Sequence, residues 1–186
     1  MKTKILVLLS VPLLLALAFV AYLAVPWLLI FIGIHLEPNP PRPEITYGEF
    51  PFRLEYEING ERKVIQDTLI CEYDGIGANE GQGKYRKWKE RLASGNKDIT
   101  LLKVDETKEI YYPPGSSDYY MDDLGEYESS EHFFPDAAFI EKDGRFTHSG
   151  IISADQLLKE YNIKLISWDA SQPIKNSFPV TKSNKE

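Results

Sequence analysis

Residues Ile5 to Ile34 run for thirty positions without a charged side chain, directly after Lys2 and Lys4. A helix over this run would be about 45 Å long at about 1.5 Å per residue, against a bilayer hydrocarbon core of about 30 Å. Residues 1–36 are therefore read as an N-terminal transmembrane signal-anchor, with the lipid bilayer as partner through residues 5–34. Ala16-Leu17-Ala18 and Ala21-Tyr22-Leu23-Ala24 offer small residues of the kind a signal peptidase accepts. Retention is still expected, because the apolar region of a cleaved signal is about 7 to 15 residues long. A lipidated N-terminus is not expected either, since Cys71 is the sole cysteine.

The flanks predict orientation. Lys2 and Lys4 precede the run, whereas His35, Glu37 and only Arg42 come closely after it, so the positive-inside rule places the N-terminus in the cytoplasm and the rest outside. Pro12 can open a span from Leu13 to Ile34, whereas Pro26 would kink it; both frames stay open. Tyr22 and Trp27 are candidate interface markers.

A proline-rich linker, residues 37–43, comes next with four prolines in six positions. Such a segment cannot continue a helix and favours polyproline II, which would hold the folded domain about 20 Å from the bilayer. Setting aside Lys2 and Lys4 leaves 19 basic against 28 acidic residues, a balance of −9. That excess argues against general nucleic-acid binding and against electrostatic adhesion to an anionic membrane. The remaining length suits one domain, residues 44–170, ahead of a polar tail at 171–186 that is expected to be disordered beyond Phe178. Cys71 sits in an apolar alternating stretch and is read as a small buried hydrophobe.

Phe50, Phe52, Leu54, Tyr56 and Ile58 alternate with Arg53, Glu55 and Glu57, and Asn59-Gly60 supplies a tight hairpin turn. The returning strand, to Tyr73, is long enough to expect a bulge near Gln66-Asp67. Glycines 75, 77, 81 and 83 predict a flexible loop. Tyr85, Trp88 and Leu92 fall at helical spacing before Gly95-Asn96, so a short helix is expected over 84–94, with a strand as the alternative. Strands are expected at Ile99–Val104 and Glu109–Tyr112, then a long acidic loop to Pro135. A hairpin turns at Asp143-Gly144, Ser153 to Gln156 form a capping box, Asn162 ends the helix, and a last strand runs from Ile163 to Trp168. The class is α+β and β-rich, mostly antiparallel, with one or two short helices behind the transmembrane helix.

Tyr120-Met121-Asp122-Asp123-Leu124 resembles the catalytic tetrad of reverse transcriptases, in which paired aspartates hold magnesium. Five residues carry the likeness, and no palm, fingers or basic template channel accompanies them, so a solvated acidic loop is expected instead. The glycine loop fails both phosphate-binding patterns: Ala78 and Tyr85 break a P-loop and Glu80 breaks a dinucleotide fingerprint. No metal and no cofactor are expected.

Beside that loop, Lys84, Arg86, Lys87, Lys89 and Arg91 place five cations in eight residues, interleaved with Tyr85 and Trp88. In so acidic a chain, Lys84, Arg86, Lys87, Trp88, Lys89 and Arg91 form the candidate ligand-binding patch, suited to an anionic envelope polymer, a lipid headgroup or an acidic face of a membrane-protein partner. Catalytic residues are not assigned. The alternative is a small surface hydrolase using His148 or the acidic loop 118–131, and it requires a carboxylate and a nucleophile to gather there.

The segments Tyr47-Gly48-Glu49-Phe50-Pro51-Phe52, Tyr85-Arg86-Lys87-Trp88-Lys89 and Gln172-Pro173-Ile174-Lys175-Asn176 are similar to uncharacterised single-pass, membrane-anchored surface proteins of Gram-positive bacteria. The resemblance implies a setting on the outer face of the plasma membrane and no activity. The expectation is a membrane-tethered extracytoplasmic binding or assembly module.

Overall fold

Alternation of apolar and polar residues organises most of the chain beyond the first helix. A computed structural model describes residues 2–125 and 132–179, with side chains described from Leu13 onward. The element order is α1 (Lys2–Leu36), β1 (Tyr47–Ile58), β2 (Glu61–Asn79), β3 (Gly83–Leu92), β4 (Ile99–Lys103), β5 (Lys108–Tyr112), α2 (Ser117–Tyr120), β6 (Ala137–Asp143), β7 (Phe146–Ile152), α3 (Ala154–Tyr161) and β8 (Ile163–Ala170). Two four-stranded sheets have the orders β3-β2-β1-β8 and β4-β5-β6-β7. The class is α+β and β-rich, as expected.

Two units divide the contacts. One comprises the chain up to Pro40 together with Gly75–Lys87; the other comprises Pro41–Asp74 and the chain from Trp88 onward. In the first, α1 runs through both proline positions, and Leu13–Leu36 is a 24-residue stretch of mean hydropathy 2.5 with none of its residues buried. It is long and apolar enough to cross a membrane.

The second unit holds the core. β1 buries every alternate residue, Phe50, Phe52, Leu54, Tyr56 and Ile58, and Leu69 and Cys71 join them from β2. The second sheet adds Ile99, Leu101, Ile110, Tyr112, Ala137 and Ile152, α3 adds Leu157, and β8 adds Ile163 and Leu165. Burying each large apolar side chain stabilises by about 1.5–3 kcal/mol, so this cluster outweighs anything the charged surface contributes. Asn59 (φ 53°) and Gly60 (φ 82°) make the β1–β2 turn, Ser153 and Gln156 form a reciprocal capping box on α3, and Asn162 closes that helix in the left-handed region.

Several expectations fail. Residues 83–92 form strand β3, not a helix: a strand separates Tyr85 from Trp88 onto opposite faces, and pairing beside β2 outweighs a weak local helical pattern that lacks a long apolar stripe. The β1–β2 register is continuous from Tyr47↔Glu72 to Ile58↔Glu61, so the bulge does not fall at Gln66-Asp67; the irregularity lies between Glu55 and Tyr56, where β1 meets β8. β2 continues to Asn79, so Gly75 and Gly77 are strand residues. A Cβ on Gly77 would stand 2.5 Å from the Tyr85 ring, which explains the glycine there.

The acidic loop is also more ordered than expected at its start. Ser116 caps α2, and Tyr120 and Met121 are buried in the core, with the Tyr120 hydroxyl donating to the Pro114 carbonyl at 2.9 Å. Glu126, Glu128 and the rest of 126–131 lie outside the described residues, as does the tail beyond Pro179. Before that point the tail is stitched down: Asn176 exchanges side-chain bonds with the Ile45 backbone (3.0 and 2.9 Å), and Ile174 N–H donates to Tyr120 O at 3.0 Å.

Candidate functional site

β3 carries all six residues of the candidate patch, and its two-residue period divides them. Lys87, Lys89 and Arg91 project to one face and are exposed; Lys84, Arg86 and Trp88 belong to the other. Same-face neighbours on a strand are about 7 Å apart, so the first three make an extended cationic row in place of one compact cluster. β3 is also an edge of its sheet. Lysines on an edge strand discourage pairing with another chain, which is a structural use for the same charges.

Trp88, Arg91 and Lys84 show how the patch residues are engaged in the protein's own architecture, and Arg86 and Lys87 also have partners. The Trp88 indole donates to Asp123 Oδ2 at 2.7 Å and meets the Tyr73 ring edge-on, with centroids 5.6 Å apart. Arg91 pairs with Glu72 at 3.2 Å. Lys84 closes the end of α1: its Nζ donates to the Glu37 carbonyl (2.7 Å) and the His35 carbonyl (3.3 Å), and its backbone N–H donates to Glu37 Oε2 (3.0 Å). The last carbonyls of a helix lack intrahelical donors and carry partial negative charge, so an ammonium group there satisfies both needs. Gly83 permits the approach, because it has φ 69° and a Cβ would stand 2.3 Å from the Glu37 carboxylate.

The tetrad-like segment is dismantled by the fold. Tyr120 and Met121 are core residues; Asp122 is left-handed (φ 56°) and accepts from the Asn176 N–H at 3.3 Å, while Asp123 accepts from Trp88. These aspartates bind protein groups and do not sit on a hairpin between strands. Among the described residues, no three of His, Cys, Asp and Glu gather at metal-binding separations.

His148 is exposed on β7 opposite Glu141, and the period of the strand sends neighbouring Ser149 to the other face. A cavity of about 860 Å³ is lined by residues including Lys97, Asp98, Thr100, Asp105, Lys108 and Lys142. One of its carboxylates is already occupied: Asp105 Oδ1 accepts from Thr107 N (2.7 Å), Thr107 Oγ1 (2.7 Å) and Lys108 N (2.8 Å), and the Thr107 side-chain bond, followed by those backbone bonds, holds its pKa down. Glu55, between Arg53 and Arg62, is likewise held below the usual carboxylate range by their hydrogen bonds.

Around Trp168 lie three buried polar atoms that find no hydrogen-bond partner among the described residues: Tyr112 Oη, His132 Nδ1 and Trp168 Nε1. The Trp168 ring is 4.7 Å from that of Tyr112 and 6.2 Å from that of His132. Burial, foremost, pushes the Tyr112 hydroxyl strongly up, and the Phe134 backbone opposes this without meeting hydrogen-bond geometry. Sequence reasoning missed this aromatic cluster and the pairing of Lys84 with the helix end. Both join residues far apart in the chain, and the only local sign of the second was a glycine directly before a lysine.

Fold and site together define a β-rich α+β module that comes after an apolar helix long enough to cross a membrane. No protein-family model matches the chain, and neither the curated proteins nor the solved structures contain a match for it.

Proposed function

We propose that this protein is a membrane-tethered extracytoplasmic module that works by binding or assembly, with its N-terminus in the cytoplasm and α1 in the plasma membrane. One observation carries the reading. Leu13–Leu36 is apolar but for His35 and has none of its residues buried, so it requires an apolar surrounding that the other described residues do not supply. The positive flank at Lys2 and Lys4 supports the orientation.

The outward row Lys87, Lys89 and Arg91 is the surface we assign to an anionic partner, an acidic polymer of the cell envelope. Multiple weak ion pairs along an extended polymer suit a row of charges better than a pocket does, and such binding weakens steeply with salt. Lys89→Glu, at an exposed position, should weaken retention of the full-length protein on immobilised anionic wall polymer while leaving the thermal unfolding midpoint unchanged. Undiminished, salt-insensitive retention of the variant would contradict the assignment.

A further inference from the structure

The tip of the β2–β3 hairpin belongs to the same compact unit as α1 and is hydrogen-bonded to its C-terminal end. If a 24-residue span is about 36 Å long, it exceeds the hydrocarbon core by a few ångströms, and its last turn lies at the boundary with the headgroups. Lys84 Nζ reaches the carbonyls of His35 and Glu37 at 3.3 and 2.7 Å, so the residues around Lys84 share that depth.

The composition and bonding of the tip suit such a layer. Asn79 Oδ1 accepts from Gly81 N (2.9 Å) and Gln82 N (2.7 Å), and Asn79 Nδ2 donates to Gln82 Oε1 (2.9 Å), so polar groups of the turn are satisfied internally. Water-poor surroundings favour that arrangement. Ile76 is 42% exposed, an apolar side chain only partly covered by protein, and Tyr85 has the amphipathic ring common at membrane interfaces. Between tip and helix runs a groove of about 550 Å³, walled by Phe31, Ile34 and His35 on α1 and by Ala78, Asn79, Glu80 and Gly81 on the tip. Two of its walls, Phe31 and Ile34, are continuous with the apolar surface of the span.

We infer that the β2–β3 tip is a second membrane-contacting element, seated in the headgroup layer beside the end of α1, and that its groove takes part of one phospholipid. Acyl methylenes lie against Phe31 and Ile34, and the headgroup lies toward Asn79, Glu80 and Gly81, with the cationic choline facing the Glu80 carboxylate. The inference rests on α1 spanning the bilayer. It goes beyond that reading by assigning lipid contact to residues some forty positions away in sequence.

Single-cysteine labelling tests it on the full chain in phosphatidylcholine vesicles. The native Cys71 is fully buried and burial, foremost, pushes its thiol up to about 12, so it does not compete for a maleimide fluorophore at neutral pH. Gln82→Cys reports on the tip and Phe19→Cys on the span. With nitroxide on the lipid headgroup, the Gln82→Cys label should lose most of its emission; with nitroxide in mid-chain, the Phe19→Cys label should. Lys84→Gln, which removes the ammonium from the helix end, should reduce quenching at Gln82→Cys and leave Phe19→Cys unaffected. Mid-chain quenching at Phe19→Cys with a Gln82→Cys label as unquenched as free fluorophore would overturn the inference while sparing the span. Absence of quenching at Phe19→Cys would overturn both.

Discussion

Individual polar residues here act chiefly by completing the backbone's hydrogen bonding. Asp105 is the clearest case: one carboxylate oxygen receives three donors and bridges the turn between β4 and β5. Because the folded pKa is lowered, the ionised form is favoured by folding. Its contribution is present above the unfolded pKa of about 3.9 and is lost as pH falls through the lower folded value. Asp105→Asn removes that titration. The stability difference between wild type and variant, followed by urea unfolding, should be largest near neutral pH and shrink below about pH 4. A difference independent of pH would mean that Asp105 carries no such linkage. Cys71 makes the complementary point: it is fully buried and unpaired, which its apolar surroundings in the sequence already indicated.

At the scale of elements, legibility tracked locality. The hairpin at Asn59-Gly60, the capping box at Ser153 and the stop at Asn162 each depend on residues within a few positions of one another, and all three formed where the pattern put them. β3 did not, because its choice of strand over helix depends on β2, which offers an unpaired edge that no short window of sequence can display. The same holds for α2 and for the tail, whose partners at Ile45 and Tyr120 are remote in sequence. Of the candidate patch, the cations and Trp88 were legible as residue types, but their division between two strand faces was not. Trp88 ties β3 to the segment after α2 through Asp123. Trp88→Phe keeps most of the ring contact with Tyr73 and deletes the donor, so the denaturation midpoint should fall by the equivalent of about 1–2 kcal/mol. An unchanged midpoint would show that the indole bond adds nothing to the tie.

For the whole molecule, the deciding fact is that one chain combines an exposed apolar helix with an acidic, β-rich remainder. The helix was legible at once, since thirty uncharged positions admit few alternatives, and the fold class came from alternation and turn chemistry. Partner chemistry was less legible, because the cations Lys84 and Arg91 turn out to serve the protein's own contacts as well. The return of the hairpin tip to the end of α1 is also absent from the linker-based picture, in which prolines alone separate the span from everything beyond it. The claim on which the rest depends is that α1 crosses the plasma membrane with the β-rich module outside. Protease treatment of intact cells expressing the protein with an epitope after Glu186 tests it most directly. The account predicts that the epitope is lost from intact cells; an epitope protected until the cells are lysed would contradict it.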